Sequence, residues 1–397
     1  MSQPLPPATT LAIFCKVVDN YGDIGICWRM ARQFAAEHGV DVTLWVDDLA
    51  SFQRICPQVR STAPSQQIAG VTVRHWHDQA AQFTPAEVAD IVIEFFACDI
   101  PPGYVAAMAQ RAQRPVWLNY EGLSAEEWVE GCHTLPSPHP RLPLTKHFFF
   151  PGFTERTGGL LRETDLAQAR QQFQADRAAQ HAFLAPFGVR AEEMAALKVS
   201  LFCYPSAPVA DLLAAWQGGA APVLCLVPEG VATQAVADFL EQAPVAGASR
   251  TRGALTLRVL PFVPQPDYDR LLWACDLNFV RGEDSWVRAQ WAARPFVWHI
   301  YEQDENLHHK KLRAFLQRFA GGAALDAFSL LWNGAGQGAQ DCASLWPALQ
   351  AALPALAVRA QAWETAQLAH GDVCSNLLAF AAVVSSVNPE NSGIMPG

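Results

Sequence analysis

Short, mainly apolar segments alternate with longer segments of helical periodicity along this chain, and this alternation restricts the fold more than any other feature. In the first half, an apolar β-type run at 11–18 precedes a turn-forming loop at 19–25, a helical pattern at 26–38 and another apolar run at 40–46. Strands without a polar face must be covered on both sides, as in parallel sheets with crossover helices. The sequence therefore predicts an α/β fold built from βαβ units.

The alternation stops once and then resumes, which predicts two Rossmann-like domains facing a cleft. Prolines and glycines accumulate at 136–159, a polar helix-rich segment follows at 163–187, and apolar runs return from residue 198. We also expect a final helix at about 356–383 and a frayed tail at 387–397. Further strand candidates lie at 71–76, 91–96, 115–118, 198–203, 222–227, 255–260, 276–280 and 295–300.

The composition excludes several classes of protein. With 28 Lys and Arg against 38 Asp and Glu, the net charge is −10, whereas a protein that binds nucleic acid by neutralising phosphates needs a basic face. A hydrophobic fraction of 51% excludes a largely disordered chain. The sequence has no uncharged apolar stretch of about 18 residues and no basic region at its N-terminus, so we expect a cytoplasmic protein without membrane contact. The ten cysteines form no C-x-x-C pair, and we expect buried, reduced thiols.

One loop combines two carboxylates with two glycines at the end of the first predicted strand. Asp19 and Asp23 flank Gly22, Gly25 follows, and a helix begins nearby. Open α/β sheets bind ligands at this edge, and glycines allow a ligand to approach the backbone closely. Asp at a helix start is also a common cap, and this structural interpretation stays open beside the functional one. The loop is not a G-x-G-x-x-G fingerprint, so it adds little support for NAD binding.

A second polar group begins a predicted helix in the other half. Arg281, Glu283, Asp284 and Ser285 lie between the strand candidate at 276–280 and the helix that follows. The N–H groups and the hydroxyl at such a helix start can bind an anion. The carboxylates would suit sugar hydroxyls, or they would only cap the helix, and both interpretations remain. We find no G-x-S-x-G, H-E-x-x-H or P-loop motif.

These segments, taken in order, resemble the EarP family, the protein-arginine rhamnosyltransferases that modify elongation factor P (EF-P). The resemblance spans roughly residues 11–312. The segments that carry it are 18–25 (VDNYGDIG) with Trp28 and Arg29, 118–128 (LNYEGLSAEEW), 149–154 with 157–159, 200–204 (SLFCY), 260–265 (LPFVPQ), 281–291 (RGEDSWVRAQW) and 296–301 (FVWHIY).

The resemblance implies a GT-B fold with an acceptor-side N-terminal domain at 1–155, completed by a C-terminal helix at 363–386, and a nucleotide-sugar-binding domain at 156–362. It implies transfer of L-rhamnose from dTDP-β-L-rhamnose to an arginine of EF-P with inversion, which activates EF-P. No metal and no cofactor are expected.

The resemblance also assigns roles to individual residues. Asp23 would be the general base, Asp19 would orient the acceptor, and Glu283 would support donor binding or catalysis. The remaining assignments concern the donor: Phe202, Tyr204 and Gln265 at the thymine base, Asp284 and Ser285 at the ribose and diphosphate, and Arg281 and Tyr301 at the diphosphate.

Three alternatives remain. A GT-B glycosyltransferase with a small-molecule or lipid acceptor would share the fold, although membrane-associated examples usually carry a basic amphipathic face. A non-catalytic GT-B protein that binds a translation factor should lack the acceptor-side carboxylates, yet Asp19 and Asp23 are both present. A dehydrogenase is disfavoured because the dinucleotide fingerprint is missing.

Overall fold

The computed structural model describes residues 9–19, 21–76, 81–336 and 338–387. The chain forms two compact units. The first contains the residues up to Thr164 together with those from Gln367 onwards, and the second is Asp165–Ala366. Within the described ranges, no helix combines the length and hydropathy needed to cross a bilayer. All ten cysteines are free thiols and nine are buried, which confirms the prediction of reduced cysteines.

The first unit contains an eight-stranded sheet with the order β3-β4-β2-β1-β5-β6-β8-β7. Its central pairs, such as β1 with β2 and with β5, are parallel, as predicted. The strands are β1 (Thr10–Cys15), β2 (Asp41–Val46), β3 (Ser65–Ile68), β4 (Val71–His75), β5 (Ile91–Phe95), β6 (Val116–Tyr120), β7 (Pro136–Pro138) and β8 (Thr145–Phe149).

The two edges of this sheet differ from the sequence-based expectation. β3 and β7 pair antiparallel with β4 and β8, so the sheet is mixed. β3 reads Ser-Gln-Gln-Ile and β7 reads Pro-Ser-Pro, and neither has an apolar run. Proline is tolerated in a strand only at an edge or a bulge, where its missing N–H is harmless. The segment 136–159, expected to be a domain boundary, therefore supplies two strands of the first sheet.

The helices of the first unit include α1 (Gly22–His38), α2 (Leu49–Ile55), α3 (Pro102–Gln110) and α4 (Trp128–Cys132). An aromatic core fixes β1 beneath the candidate loop. Phe14 lies 5.6 Å from Trp45 in a stacked arrangement and 4.8 Å from Tyr104 edge-on, measured between ring centroids. The Trp76 indole N–H donates to the carbonyl of Cys15 at 3.0 Å. Because such aromatic pairs add about 0.5–1.5 kcal/mol each beyond buried area, the end of β1 is firmly held.

The second unit contains a six-stranded sheet with the order β11-β12-β10-β9-β13-β14. All neighbours pair parallel except the edge strand β11, which the sequence did not predict because all four of its residues are polar. The strands are β9 (Leu197–Leu201), β10 (Val223–Pro228), β11 (Ser249–Arg252), β12 (Leu255–Leu260), β13 (Leu277–Arg281) and β14 (Phe296–His299). The helices are α5 (Leu166–Ala175), α6 (Arg177–Leu184), α7 (Val209–Gln217), α8 (Thr233–Leu240), α9 (Gln265–Ala274), α10 (Asp284–Trp291), α11 (Leu307–Phe319), α12 (Ala323–Trp332) and the long α13 (Cys342–Leu368).

The last part of the chain that the structure describes contains two helices where the sequence predicted one at about 356–383. α13 ends at Leu368, and α14 (Val373–Val387) begins after a turn. Gly371 adopts a φ of +74°, a left-handed conformation that interrupts a right-handed helix and favours glycine. Asp372 then caps α14 by accepting the N–H of Ser375 at 3.0 Å. Most of the tail predicted at 387–397 lies outside the described residues.

The unit boundaries differ slightly from the predicted 155/156 and 362/363. The segment up to Thr164 stays with the first unit because the Thr164 hydroxyl donates to Glu37 at 2.8 Å and Glu163 lies 3.7 Å from Arg29. Trp363 stays with the second unit because its indole N–H donates to the side chain of Gln290 at 2.8 Å. These polar contacts are long-range, so no local pattern reveals them.

Candidate active site

Asp23 fastens the loop that joins β1 to α1. Its side chain is 6% exposed, and one carboxylate oxygen, Oδ2, accepts the N–H of Val18 at 2.7 Å and that of Asp19 at 2.8 Å. Asp23 lies in the first turn of α1, yet both donors precede the helix, and the N-cap residue Tyr21 makes no side-chain cap. The carboxylate therefore orders the loop rather than capping the helix.

The pKa of Asp23 is raised from its usual value. Burial is the main cause, and the negative charges of Asp19 and Asp47 act in the same direction, while the two N–H donors oppose them. A carboxylate with a raised pKa holds a proton more strongly and is therefore a better general base. The arrangement can orient a cation and accept a proton from it.

Gly22 permits Asp19 to approach the start of α1. A Cβ atom on Gly22 would lie 2.9 Å from Oδ2 of Asp19, and the Gly22 N–H donates to the Asp19 carbonyl at 2.7 Å. The sequence attributed this glycine to the approach of a ligand. In the structure it is the Asp19 carboxylate that takes the space beside Gly22.

Asp47 is part of this group of carboxylates, although the sequence analysis did not select it. It directly follows β2, and its Oδ1 accepts the N–H of Val17 at 2.8 Å, which ties the candidate loop to the neighbouring strand. Its position after the second apolar run, at the same edge of the predicted sheet, is the signal that would have revealed it.

In the second unit, Arg281 holds two of the predicted donor-binding aromatic residues together. Its guanidinium carbon lies 4.4 Å from the ring centroid of Phe202 and 4.8 Å from that of Tyr204, distances typical of cation–π contacts. β9 and β13 are paired neighbours, so the loop after β9 meets the end of β13. The Tyr301 ring lies edge-on to Tyr204, with 5.7 Å between centroids. The structure thus brings four of the predicted residues into contact.

The turn before α10 is fixed by hydrogen bonds, and the predicted helix start at Glu283–Ser285 is confirmed. Ser285 Oγ accepts the N–H of Arg281 at 3.0 Å and donates to the carbonyl of Arg281. Glu283 is the N-cap residue, but its side chain makes no capping hydrogen bond, and Asp284 is the first helical residue. Gly282 has a φ of +61°, and its N–H donates to the carbonyl of His299 at 3.1 Å.

Gln265 begins α9 and is 8% exposed. One turn further along the same helix, the Tyr268 ring lies 6.0 Å from the Phe202 ring, so the start of α9 borders the aromatic group. His299 also belongs to this region and was missed. Its imidazole bonds the backbone of Tyr204, and the only sequence signal was a histidine at the end of an apolar run. Among the described residues, no three His, Cys, Asp or Glu side chains are placed to hold a metal ion.

Comparisons with known proteins agree with this architecture. A family model for the elongation factor P (EF-P) rhamnosyltransferase EarP matches residues 11–382. A protein-arginine rhamnosyltransferase of Pseudomonas putida is 49% identical over 378 residues, covering 94% of this chain and 98% of that protein.

Two solved structures share the fold. One, which gives the structural basis for EarP-mediated arginine glycosylation of translation elongation factor EF-P, is 36% identical with a TM-score of 0.63 and covers 94% of this chain and 98% of that one. The spinosyn rhamnosyltransferase SpnG is 11% identical with a TM-score of 0.51 and covers 94% of this chain and 100% of its own. The expected GT-B glycosyltransferase fold is confirmed. With the family model and a close relative both matching nearly the whole length, the chain belongs to the EarP family of protein-arginine rhamnosyltransferases.

Proposed function

We propose that this protein is a cytoplasmic, inverting glycosyltransferase that moves L-rhamnose from dTDP-β-L-rhamnose to an arginine side chain of EF-P, and so activates EF-P, without a metal or cofactor. The family supports the transfer of rhamnose to a protein arginine. The observation that carries the proposed mechanism is the buried Asp23 carboxylate, held by two loop N–H groups at the carboxyl end of β1 with Asp19 beside it.

The arginine acceptor is hard to activate as a nucleophile, and two carboxylates can activate it together. A guanidinium has a pKa above about 12 and is a poor nucleophile while its charge is delocalised. A single carboxylate cannot deprotonate it outright in water. Asp23 and Asp19 would bind the guanidinium through hydrogen bonds and rotate one of its nitrogens out of conjugation. As that nitrogen bonds to the anomeric carbon and the bond to dTDP breaks, its proton passes to Asp23, which is worth roughly 10²–10⁴ in rate.

The donor would be bound by the aromatic group of the second unit. Phe202 and Tyr204 offer ring surface to the thymine, and Gln265 offers an amide for its polar edge. Glu283 and Asp284 suit the hydroxyls of the sugars. Ser285 already bonds Arg281 through its hydroxyl, so we assign it to shaping the turn that presents the first N–H groups of α10.

Charge on the leaving dTDP would be stabilised by the same region. The Arg281 guanidinium and the N-terminus of α10 both supply positive electrostatic potential, and Tyr301 supplies a hydroxyl at the same edge. The anomeric carbon would pass through an oxocarbenium-like state, as in glycoside chemistry generally.

The decisive test is the intact mass of EF-P after incubation with the protein and dTDP-rhamnose. We expect a gain of one deoxyhexose that disappears when the acceptor arginine is changed to lysine. Asp23→Asn should lower turnover by about 10²-fold or more, because it removes the base. The amide oxygen of this variant can still accept the N–H groups of Val18 and Asp19, so the loop should keep its conformation.

The outcomes separate the alternatives. Undiminished turnover in Asp23→Asn would show that another group is the base. If the wild-type protein binds dTDP but EF-P gains no mass, the acceptor is a different molecule or the protein is a non-catalytic binding partner. Melting temperatures of both forms serve as the folding control.

A further inference from the structure

His299 is the last residue of β14 and lies at the carboxyl edge of the second sheet. It is 2% exposed. β14 pairs with β13, and β13 pairs with β9, so the imidazole lies next to the loop that follows β9. This loop carries Phe202 and Tyr204.

The imidazole bonds that loop through both ring nitrogens. Nδ1 accepts the backbone N–H of Tyr204 at 3.2 Å, and Nε2 lies 3.4 Å from Oγ of Ser206. A nitrogen that accepts an N–H must be unprotonated, so the ring proton resides on Nε2 and faces Ser206. Burial is the main cause that lowers the pKa of His299 to about 4; the Glu302 carboxylate opposes it and the Arg281 cation assists it. The ring therefore keeps this neutral tautomer at physiological pH.

The imidazole also packs against the Tyr204 side chain. The two rings meet edge-on with 5.3 Å between centroids, while Arg281 and Tyr301 contact the Tyr204 ring as well. His299 is itself held by Trp332 of α12, whose ring lies 6.2 Å away. The last residue of α12 therefore packs against the imidazole, and the imidazole contacts both the backbone and the ring of Tyr204.

We propose that His299 is a positioning residue for donor binding, which sets the backbone and ring of Tyr204 against Arg281 through the Nδ1 hydrogen bond. This inference rests on the proposed function, since that function assigns Tyr204 to the donor nucleotide. Both polar partners of His299 lie in the 202–206 loop, which carries two of the proposed donor-binding residues.

The two carboxamide side chains provide matched variants. In His299→Asn, the amide oxygen takes approximately the position of Nδ1 and can accept the Tyr204 N–H. In His299→Gln, the polar end reaches the position of Nε2 instead and leaves that N–H unbonded. Ser206→Ala removes only the partner of Nε2 and serves as the control.

The first readout is the affinity for dTDP by calorimetry, together with kcat and KM for dTDP-rhamnose. Loss of one buried hydrogen bond leads us to expect about a tenfold rise in Kd and donor KM for His299→Gln, with kcat nearly unchanged. His299→Asn and Ser206→Ala should stay close to wild type. Equal weakening in His299→Asn and His299→Gln, or in neither, overturns the proposal.

The second readout does not require a donor. The chain has six tyrosines, so ¹⁵N-tyrosine labelling gives at most six backbone signals, and Tyr204→Phe identifies the relevant one. Its amide should be protected from hydrogen exchange in wild type and His299→Asn and lose protection in His299→Gln. If wild-type protein fails to bind dTDP, the proposed donor is wrong and this exchange experiment alone decides whether His299 positions Tyr204. Unaltered protection in His299→Gln refutes it.

Discussion

Three carboxylates, those of Asp19, Asp23 and Asp47, follow two neighbouring strands at one edge of the first sheet. Their mutual repulsion adds to burial in raising the pKa of Asp23. Asp47 is half-buried and accepts a backbone N–H just before the loop, and its charge raises the pKa of Asp23. The pKa of Asp23 therefore depends on all three carboxylates, and it can be altered by changing Asp47 without changing Asp23 or Asp19.

Asp47→Asn should move the acid limb of the rate profile to lower pH. Asp23 must be ionised to accept a proton, and removing the charge of Asp47 lowers the pKa of Asp23. The new amide oxygen can still accept the Val17 N–H, so the loop is retained. The measurement is kcat against pH from about 4 to 8, a range that brackets carboxylate titration.

Asp48→Asn is the matched control for this prediction. Asp48 adjoins Asp47, but its carboxylate caps α2 by accepting the N–H groups of Ala50 and Ser51, each at 3.0 Å. Asparagine is an equally good cap. The acid limb should not move in this variant, and a limb that shifts equally in both variants would contradict the specific coupling.

Local order in the sequence was enough to single out Asp19 and Asp23 as candidates, but not residues whose contacts depend on a neighbouring strand. Asp19 and Asp23 stand out because a strand, a glycine-containing loop and a helix follow one another. Asp47 and His299 act on loops that belong to other strands. Strand order decides those contacts, and a single sequence does not specify strand order.

α9 and α10, which begin with Gln265 and Asp284, are joined by a buried ion pair. Arg288 donates from Nε to Oδ1 of Asp269 at 2.9 Å and from a terminal nitrogen to Oδ2 at 2.7 Å. The two side chains are 2% and 7% exposed. This bidentate geometry fixes the two helix starts relative to one another within the second unit.

Asp269→Ala alone should destabilise the second unit by about 3–5 kcal/mol, because it leaves the Arg288 charge buried without its partner. The double change Asp269→Leu with Arg288→Met should cost far less than the sum of the single changes, since no charge remains unpaired. Urea unfolding measures both. The exposed pair Arg270 and Asp267 on the same helix, 3.4 Å apart, is the control, and Asp267→Ala should change stability by less than about 1 kcal/mol. If Asp269→Ala lowers the free energy of unfolding as little as Asp267→Ala does, the ion pair of Asp269 and Arg288 does not hold the two helices together.

Strands with a mainly apolar run were predicted well, whereas three of the four edge strands, β3, β7 and β11, were not. β1, β2, β10 and β12 lie where the apolar runs are. β3, β7 and β11 are polar or proline-containing, because an edge strand has one solvated side and needs no continuous apolar run. The break between α13 and α14 depends on the left-handed conformation of one glycine, which has no effect on apolar periodicity.

Each unit holds a histidine in its neutral form, half-buried His133 in the first and buried His299 in the second, and this couples folding to pH. Burial lowers the pKa of His133 and of His299 from 6.5 to about 4. Between these values the unfolded chain binds protons that the folded chain does not. Stability is therefore fully present above pH 6.5 and falls as the pH drops towards about 4.

We expect the melting temperature to fall over that pH interval, measured by calorimetry in buffers of constant ionic strength. His133→Asn keeps an acceptor for the Phe150 N–H, which Nδ1 now accepts at 3.1 Å, and removes the titration. The decline should be shallower in this variant. An unchanged slope would show that other groups govern the acid transition.

The division into two units was predictable because the strand–helix alternation stops and restarts. The boundaries were not, because they depend on contacts between distant segments. Gln33 of α1, for example, donates to the carbonyl of Arg162 at 2.8 Å and to Asp372 at 3.1 Å, drawing three separate parts of the chain into the first unit.

The return of α14 to the first unit has a consequence for biosynthesis. Phe380 packs against Phe149 of β8 with 6.2 Å between ring centroids, and Asn376 donates to the carbonyl of Gly158 at 3.1 Å. A ribosome adding roughly 5–20 residues per second needs about 10 to 40 seconds for Asp165–Ala366. During that time the surface of β8 that packs against α14 stays uncovered, because α14 has not yet been synthesised. The domain begun first is thus the last to be completed, and a nascent chain that stalls near its end leaves that apolar surface open to chaperones or to aggregation.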